Sequence, residues 1–145
     1  MSDSQRFPVA AHALAYLAHK GAFSPQAAVS SAELAGSIPT NPVVVRRTTA
    51  MLAKAGLIGT RAGAGGGAWL KRPAESITLD QVLRAVNGCA HLGAPTPGVQ
   101  GCPVGARIPK AVKSALEQVD RAARECLSHI TVADLLKTDD DAAAA

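Results

Sequence analysis

Apolar residues at Val9, Ala13, Tyr16 and Leu17 recur at the spacing of one helical face, and Gly21 ends the run, so the pattern predicts a first helix after Pro8. Ser30, followed three places on by Glu33, marks a capping box for a short second helix over 32–38. The turn SIPTNP then leads into a third helix, with Pro42 at its first position and Gly56 at its end. Two β-prone runs, LIGTR (57–61) and AWLKR (68–72), flank the turn-rich AGAGGG and read as a hairpin with a flexible tip. Thr78 caps a fourth helix, whose Leu79, Val82, Leu83 and Val86 form one stripe.

From Gly88 to Gly105 glycine and proline interrupt every regular pattern, and a loop of that length is usually functional or disordered. Beyond it, Ile108, Val112, Ala115, Leu116, Val119, Ala122, Ala123, Cys126, Leu127 and Ile130 draw an apolar stripe along one long helix, which needs a partner to cover it. That helix starts at either Pro103 or Pro109. A short helix, VADLLK, follows Thr131. The expected fold is mainly α with a small β-hairpin: a winged helix-turn-helix over 1–87, a cysteine-containing loop over 88–107, a dimerisation helix with a terminal helix over 108–137, and a disordered tail over 138–145.

Ala, Val and Leu dominate the composition and aromatic residues are few, which suits packed helices. Lysine and arginine number 15 against 11 acidic residues, and Asp139, Asp140 and Asp141 are gathered at one end, so the body is more basic than the whole and favours a polyanionic partner. MSDSQRFPV lacks the basic region and apolar run of a signal peptide, no stretch approaches the roughly 18 apolar residues of a membrane span, and the three cysteines are an odd number. A cytoplasmic protein with reduced thiols and no membrane partner is expected.

A helix-turn-helix places the first turns of its second helix in the major groove of DNA. Here those turns carry Thr40, Asn41, Val43, Val44, Arg46 and Arg47. Arginine suits guanine, asparagine suits adenine, and valine or threonine suits the thymine methyl. At least one valine of the run 43–45 must face the core, and Val44 is taken as a reader. Ser31, just before the second helix, together with Arg61, Gly65, Gly66 and Lys71 of the hairpin, completes the expected contact set, because a basic wing with a glycine tip approaches phosphates closely. The tip lacks the Gly-Lys-Ser/Thr ending of a P-loop, and no constellation supports hydrolysis, hydride transfer or phosphoryl transfer, so no enzyme is expected.

These residues, above all NPVVVRR, LAKAGLIGTRAGAGGGAWLKRPAESITLDQVLRAV and GCPVG, resemble the Rrf-two family of winged-helix repressors, the family of IscR, NsrR and CymR, and within it the YwnA-like branch. The resemblance implies a homodimer paired through the long helix (Ile108, Val112, Leu116, Val119, Ala123 and Cys126), an inverted-repeat operator in double-stranded DNA, and control of transcription. Family members that carry an iron–sulfur cluster have three closely spaced cysteines in this loop, whereas here it holds Cys89 and Cys102, and Val9 stands where many cluster binders have a carboxylate. No cofactor is therefore expected, and Cys89, His91 and Cys102 make an incomplete metal or cluster site. As thiols, Cys102 and then Cys89 are the candidate redox sensors. Should the helix begin at Pro103, Cys102 lies at its positive end beside Arg107, which favours the thiolate. Cys126, on the stripe, reads as a buried small hydrophobe. The rival functions are an iron–sulfur or metal-responsive regulator, a winged-helix interaction module that has lost DNA binding, and a thiol enzyme or metal carrier.

Overall fold

The computed structural model of the chain describes residues 5–86 and 93–143. Helix α1 (Arg6–His19) buries Val9, Ala10, Ala13, Leu14 and Leu17 as one face, one turn earlier than the spacing predicts at its start. Helix α2 (Ser31–Ser37) begins at the Ser30 cap, whose hydroxyl accepts from the Glu33 amide at 3.1 Å. The predicted capping box is only half made. Glu33 turns its carboxylate to α1 instead, accepting from the Tyr16 hydroxyl at 2.9 Å and pairing with Lys20 at 3.0 Å. Charge-assisted bonds to two partners outcompete one neutral backbone amide. They also hold the Glu33 carboxyl below the usual carboxylate range, the Lys20 bond being the largest cause.

Helix α3 (Pro42–Lys54) is capped by Asn41, whose Oδ1 accepts from the Val43 amide at 2.9 Å, a cap worth about 1 kcal/mol. Val44, Val45, Thr48 and Leu52 line its core face. Strands β1 (Ile58–Arg61) and β2 (Gly67–Leu70) pair antiparallel, with Ile58 opposite Leu70 and Arg61 opposite Gly67. The hairpin is tied to the helical body through Val29 and Ala68, which exchange both backbone hydrogen bonds, and through Leu70, whose amide donates to the Ala22 carbonyl. At Gly67 φ is +151°, and a Cβ there would run into the Val29 carbonyl, so the seam requires glycine.

Helix α4 (Leu79–Ala85) starts with a complete capping box between Thr78 and Gln81. Helix α5 (Pro103–Leu127) starts at Pro103, with Cys102 as its cap, and Pro109 lies inside it. An interior proline lacks the N–H that would bond the carbonyl four residues back, here that of Gly105. The Val99 amide donates to that carbonyl at 3.1 Å, and so the helix runs on past Pro109. A Cβ at Gly105 would lie 3.3 Å from the Val99 Cβ and 3.5 Å from the Cys102 sulfur, which leaves little room for a side chain.

Helix α6 (Val132–Ala143) differs from expectation in two ways. Its backbone stays helical to Ala143, past residue 138 where a tail was expected. It also packs on the body that contains α1 rather than continuing along α5. Val132 is wholly buried, and α6 packs against α1. An antiparallel bridge joins Thr78 to Thr131, with the Leu79 amide donating to the Ile130 carbonyl and the Val132 amide to that of Ile77. Helices α4 and α6 thus start from one bridge.

Candidate nucleic-acid interface

With Val44, Val45, Thr48 and Leu52 inward, the helical period turns Val43, Arg46, Arg47, Ala50 and Lys54 outward on α3. Val44, expected to read DNA, is only 9 % exposed and packs in the core, whereas Val43 is 39 % exposed and takes the outward place. The cause is the helical period: Thr48 and Leu52 point into the core, and the positions four and eight residues before Leu52, with Val45 adjoining, fall on the same face. Asn41, Arg46 and Arg47 are exposed, and Thr40 is half-buried.

Between α3 and the hairpin lies an open groove of about 370 Å³. Ser30 and Ser31 from the cap and start of α2, Arg46 and Thr49 from α3, and Arg61 and Gly66 from the hairpin line it. Arg61 donates to the Gly65 carbonyl at 3.2 Å, folding the hairpin tip under its own guanidinium. Ser31, Arg46, Arg61 and Gly66 are therefore brought to one groove, with Gly65 beside it. Arg47 stands on the outer side of α3. Lys71 does not reach the tip: it lies beyond β2 at the hairpin's root, its amide bonded to the Leu57 carbonyl. Arg72 likewise turns to the Ser76 carbonyl. Thr49, Ala50 and Lys54 were not singled out from the sequence, yet they follow Arg46 at helical spacing, and that period is the signal that finds them.

Acidic residues are spent elsewhere. Asp80 pairs with Arg84, Glu117 with Lys113, Asp120 with Arg124, Asp134 with Lys137, and Glu33 with Lys20. Among the described residues Arg46, Arg47 and Arg61 make no ion pair, and the groove side of the molecule is left cationic, as phosphate neutralisation requires.

Helix α5 has no buried residue along its 25 positions. Ile108, Val112 and Val119 are exposed at 52 %, 42 % and 38 %, Leu116 and Ala123 are half-buried, and Cys126 is exposed. Cys126 was expected to be buried; within one chain the surface it lies on is uncovered. At the other end, the exposed Cys102 sulfur accepts from the Gly105 amide at 3.3 Å. Cys89 and His91 lie outside the described residues. A cluster's ligand set is not met by the described thiols, since Cys126 stands about 36 Å along α5 from Cys102 at 1.5 Å per residue.

Three helices, a helix-turn-helix presenting a cationic face, and a hairpin flanking that face define a winged-helix DNA-binding protein. Residues 3–138 match the profile of the Rrf2 family, described as iron-dependent transcriptional regulators, and the chain belongs to this family. It is 36 % identical to YwnA of Bacillus subtilis, named as an HTH-type transcriptional regulator, over 137 residues, which are 92 % of this chain and 96 % of the relative. Among solved structures, a transcriptional regulator from Lactobacillus plantarum superposes with a TM-score of 0.73 at 26 % identity, covering 93 % of this chain and 89 % of that one. IscR of T. potens gives a TM-score of 0.66 at 27 % identity, covering 94 % and 87 %. The protein is a DNA-binding transcriptional regulator rather than an enzyme.

Proposed function

We propose that the protein is a cytoplasmic homodimeric repressor that binds an inverted-repeat operator and responds to modification of the Cys102 thiol. The observation that carries this reading is α5: 25 residues with none buried and an apolar stripe from Ile108 to Cys126. A second copy of the same helix covers that stripe, and a two-fold protein reads a two-fold site. Repression is the activity that the family resemblance implies. Ser31, Thr40, Asn41, Arg46, Arg47, Arg61, Gly65 and Gly66 contact DNA, with Val43 in place of Val44. Lys71, set back from the tip, contributes to the field rather than to a contact.

The response runs through the α5 cap. The Cys102 sulfur holds the Gly105 amide, and the Gly105 carbonyl holds Val99, so the thiol, the loop and the first turn of α5 form one unit. When the Cys102 thiolate displaces one sulfur of a low-molecular-weight disulfide, a mixed disulfide forms and the reagent's other half leaves as a thiolate. The adduct occupies the sulfur that accepts from the Gly105 amide, so the cap is weakened and the first turn of α5, with Val104 and Ile108 at the start of the stripe, is disturbed. The test follows operator binding, intact mass and sedimentation together, for wild type and Cys102→Ser, before and after treatment with such a disulfide. Serine retains a cap. The reading expects dimers, salt-dependent binding to an inverted repeat, and loss of response in the serine variant. Monomers at micromolar concentration overturn the dimer, and an unchanged response in Cys102→Ser overturns the sensor.

A further inference from the structure

We infer that α5 pairs with its copy antiparallel, in a register centred level with Glu117, so that each branched side chain of one helix lies against a small one of the other. Ile108 meets the partner's Cys126, Val112 the partner's Ala122, and Val119 the partner's Ala115. This rests on the homodimer proposed above and assigns the orientation and register that the homodimer leaves open. Exposure divides α5 into two faces. Pro109, Leu116, Asp120, Ala123 and Leu127 are half-buried, on the side where Asp120 and Arg124 line one cleft with Arg84 of α4. Ile108, Val112, Ala115, Val119, Ala122 and Cys126 are all exposed, although all six are apolar. They follow one another at steps of 4, 3, 4, 3 and 4 residues, the spacing of a coiled-coil seam, and the half-buried Leu116 and Ala123 flank it.

That series of steps reads the same in both directions, so the seam can meet its copy with the helices running together or opposed. Running together, each residue meets itself, and thick layers at Ile108, Val112 and Val119 are interrupted by thin ones at Ala115 and Ala122. Two straight helices cannot be far apart at one layer and close at the next, so the alanine layers would hold cavities. Opposed and centred level with residue 117, all six positions still face one another, and every layer holds one large and one small side chain. Sliding the register by one heptad either way leaves two of the six facing no member of the seam. The charges agree. Residues 103–115 carry Arg107, Lys110 and Lys113 with no acid, whereas 116–127 carry Glu117, Asp120 and Glu125 with Arg121 and Arg124. Opposed helices set the cationic half of each beside the acid-bearing half of the other and place their dipoles head to tail, whereas parallel packing brings like ends together.

The experiment uses the full chain with Cys89→Ser and Cys102→Ser, which leaves Cys126 as its thiol, and a second form that also carries Ile108→Cys. Serine keeps the α5 cap. Both are oxidised with copper–phenanthroline and read on a non-reducing gel, beside sedimentation of the unoxidised protein. In the opposed register the two copies of Cys126 lie about 27 Å apart along the pair at 1.5 Å per residue, far beyond the roughly 7 Å between Cα atoms that a disulfide spans, whereas residue 108 meets the partner's residue 126. The Ile108→Cys form is expected to become a covalent dimer, and the form with Cys126 alone to stay uncrosslinked. A second arm measures the dimer dissociation constant for Val112→Ala, Ala122→Val and both together. Val112→Ala empties two equivalent layers and should weaken the dimer on the order of a hundredfold, and Ala122→Val overfills the same layers. Together they restore the volume, so the double variant should lose less than the product of the two single losses. Within one helix these positions stand about 15 Å apart, too far to couple. Covalent dimers from Cys126 alone, a dimeric Ile108→Cys form that does not crosslink, or multiplicative losses in the double variant overturn the register while the homodimer stands. A wild type that sediments as a monomer overturns the homodimer itself, and the register with it.

Discussion

Arg46 and Arg61 line one groove while Arg47 stands outside it, and the three side chains should therefore differ in how their losses combine. Arg46→Ala or Arg47→Ala should each cost about 1–3 kcal/mol of operator affinity and relax one base preference. Arg61→Ala should weaken binding to all sequences and flatten its salt dependence, because its guanidinium also holds the tip through Gly65. In double-mutant cycles on operator affinity, Arg46 with Arg61 should be non-additive by more than about 0.5 kcal/mol, and Arg47 with Arg61 additive. Equal coupling in both cycles would refute the shared groove. The arginines were legible in the sequence because charge and helical position are local properties. The choice among three consecutive valines was not, since it depends on which face of α3 is covered by a core built from other elements.

Among elements, α5 carries the clearest signal and α6 the least expected placement. Replacing Leu116 and Val119 by glutamate should give monomers with an unchanged winged domain and much weaker operator binding, checked by sedimentation and by the melting profile. A stable dimer in that variant would show that the stripe serves something else. The start of α5 was ambiguous from sequence, because a proline at residue 109 ends a helix unless some other group satisfies the freed carbonyl. Only tertiary structure supplies the Val99 amide. In α6, the Asp134 carboxylate accepts from the Thr131 amide at 2.9 Å, and this bond, with the Thr131 hydroxyl bond second, lowers its pKa. A depressed carboxyl stabilises the fold above its unfolded pKa, and that contribution is lost as pH falls through the folded value. Melts at successively lower pH should thus show α6 loosening below the ordinary carboxylate range. Asp134→Asn should remove part of that acid sensitivity, and an identical pH profile for both proteins would count against the assignment.

At the scale of the whole molecule, periodicity and capping residues made the helices α1 to α6 and the hairpin legible, but they could not assign α6 to a body. Amphipathic pattern tells that a face is covered, not by which partner. The covering surface is α1, more than a hundred residues earlier in the numbering, and the strand bridge between Thr78 and Thr131 is invisible to local pattern. Removal of residues 132–145 should accordingly lower the melting temperature of the winged domain and abolish DNA binding, although α3 and both strands remain. Retained operator binding by the truncated chain would place α6 outside the domain. On the ribosome the same bridge sets a delay. Thr78 is made about 53 residues ahead of Thr131, an interval of roughly 3–10 s at about 5–20 residues per second. Throughout it the part of α1 that α6 covers stays open, while α3 and α4 already pack on the rest, and α5 emerges before the last helix arrives. A nascent-chain chaperone therefore meets this protein with its core unclosed and a bare apolar helix already in solution.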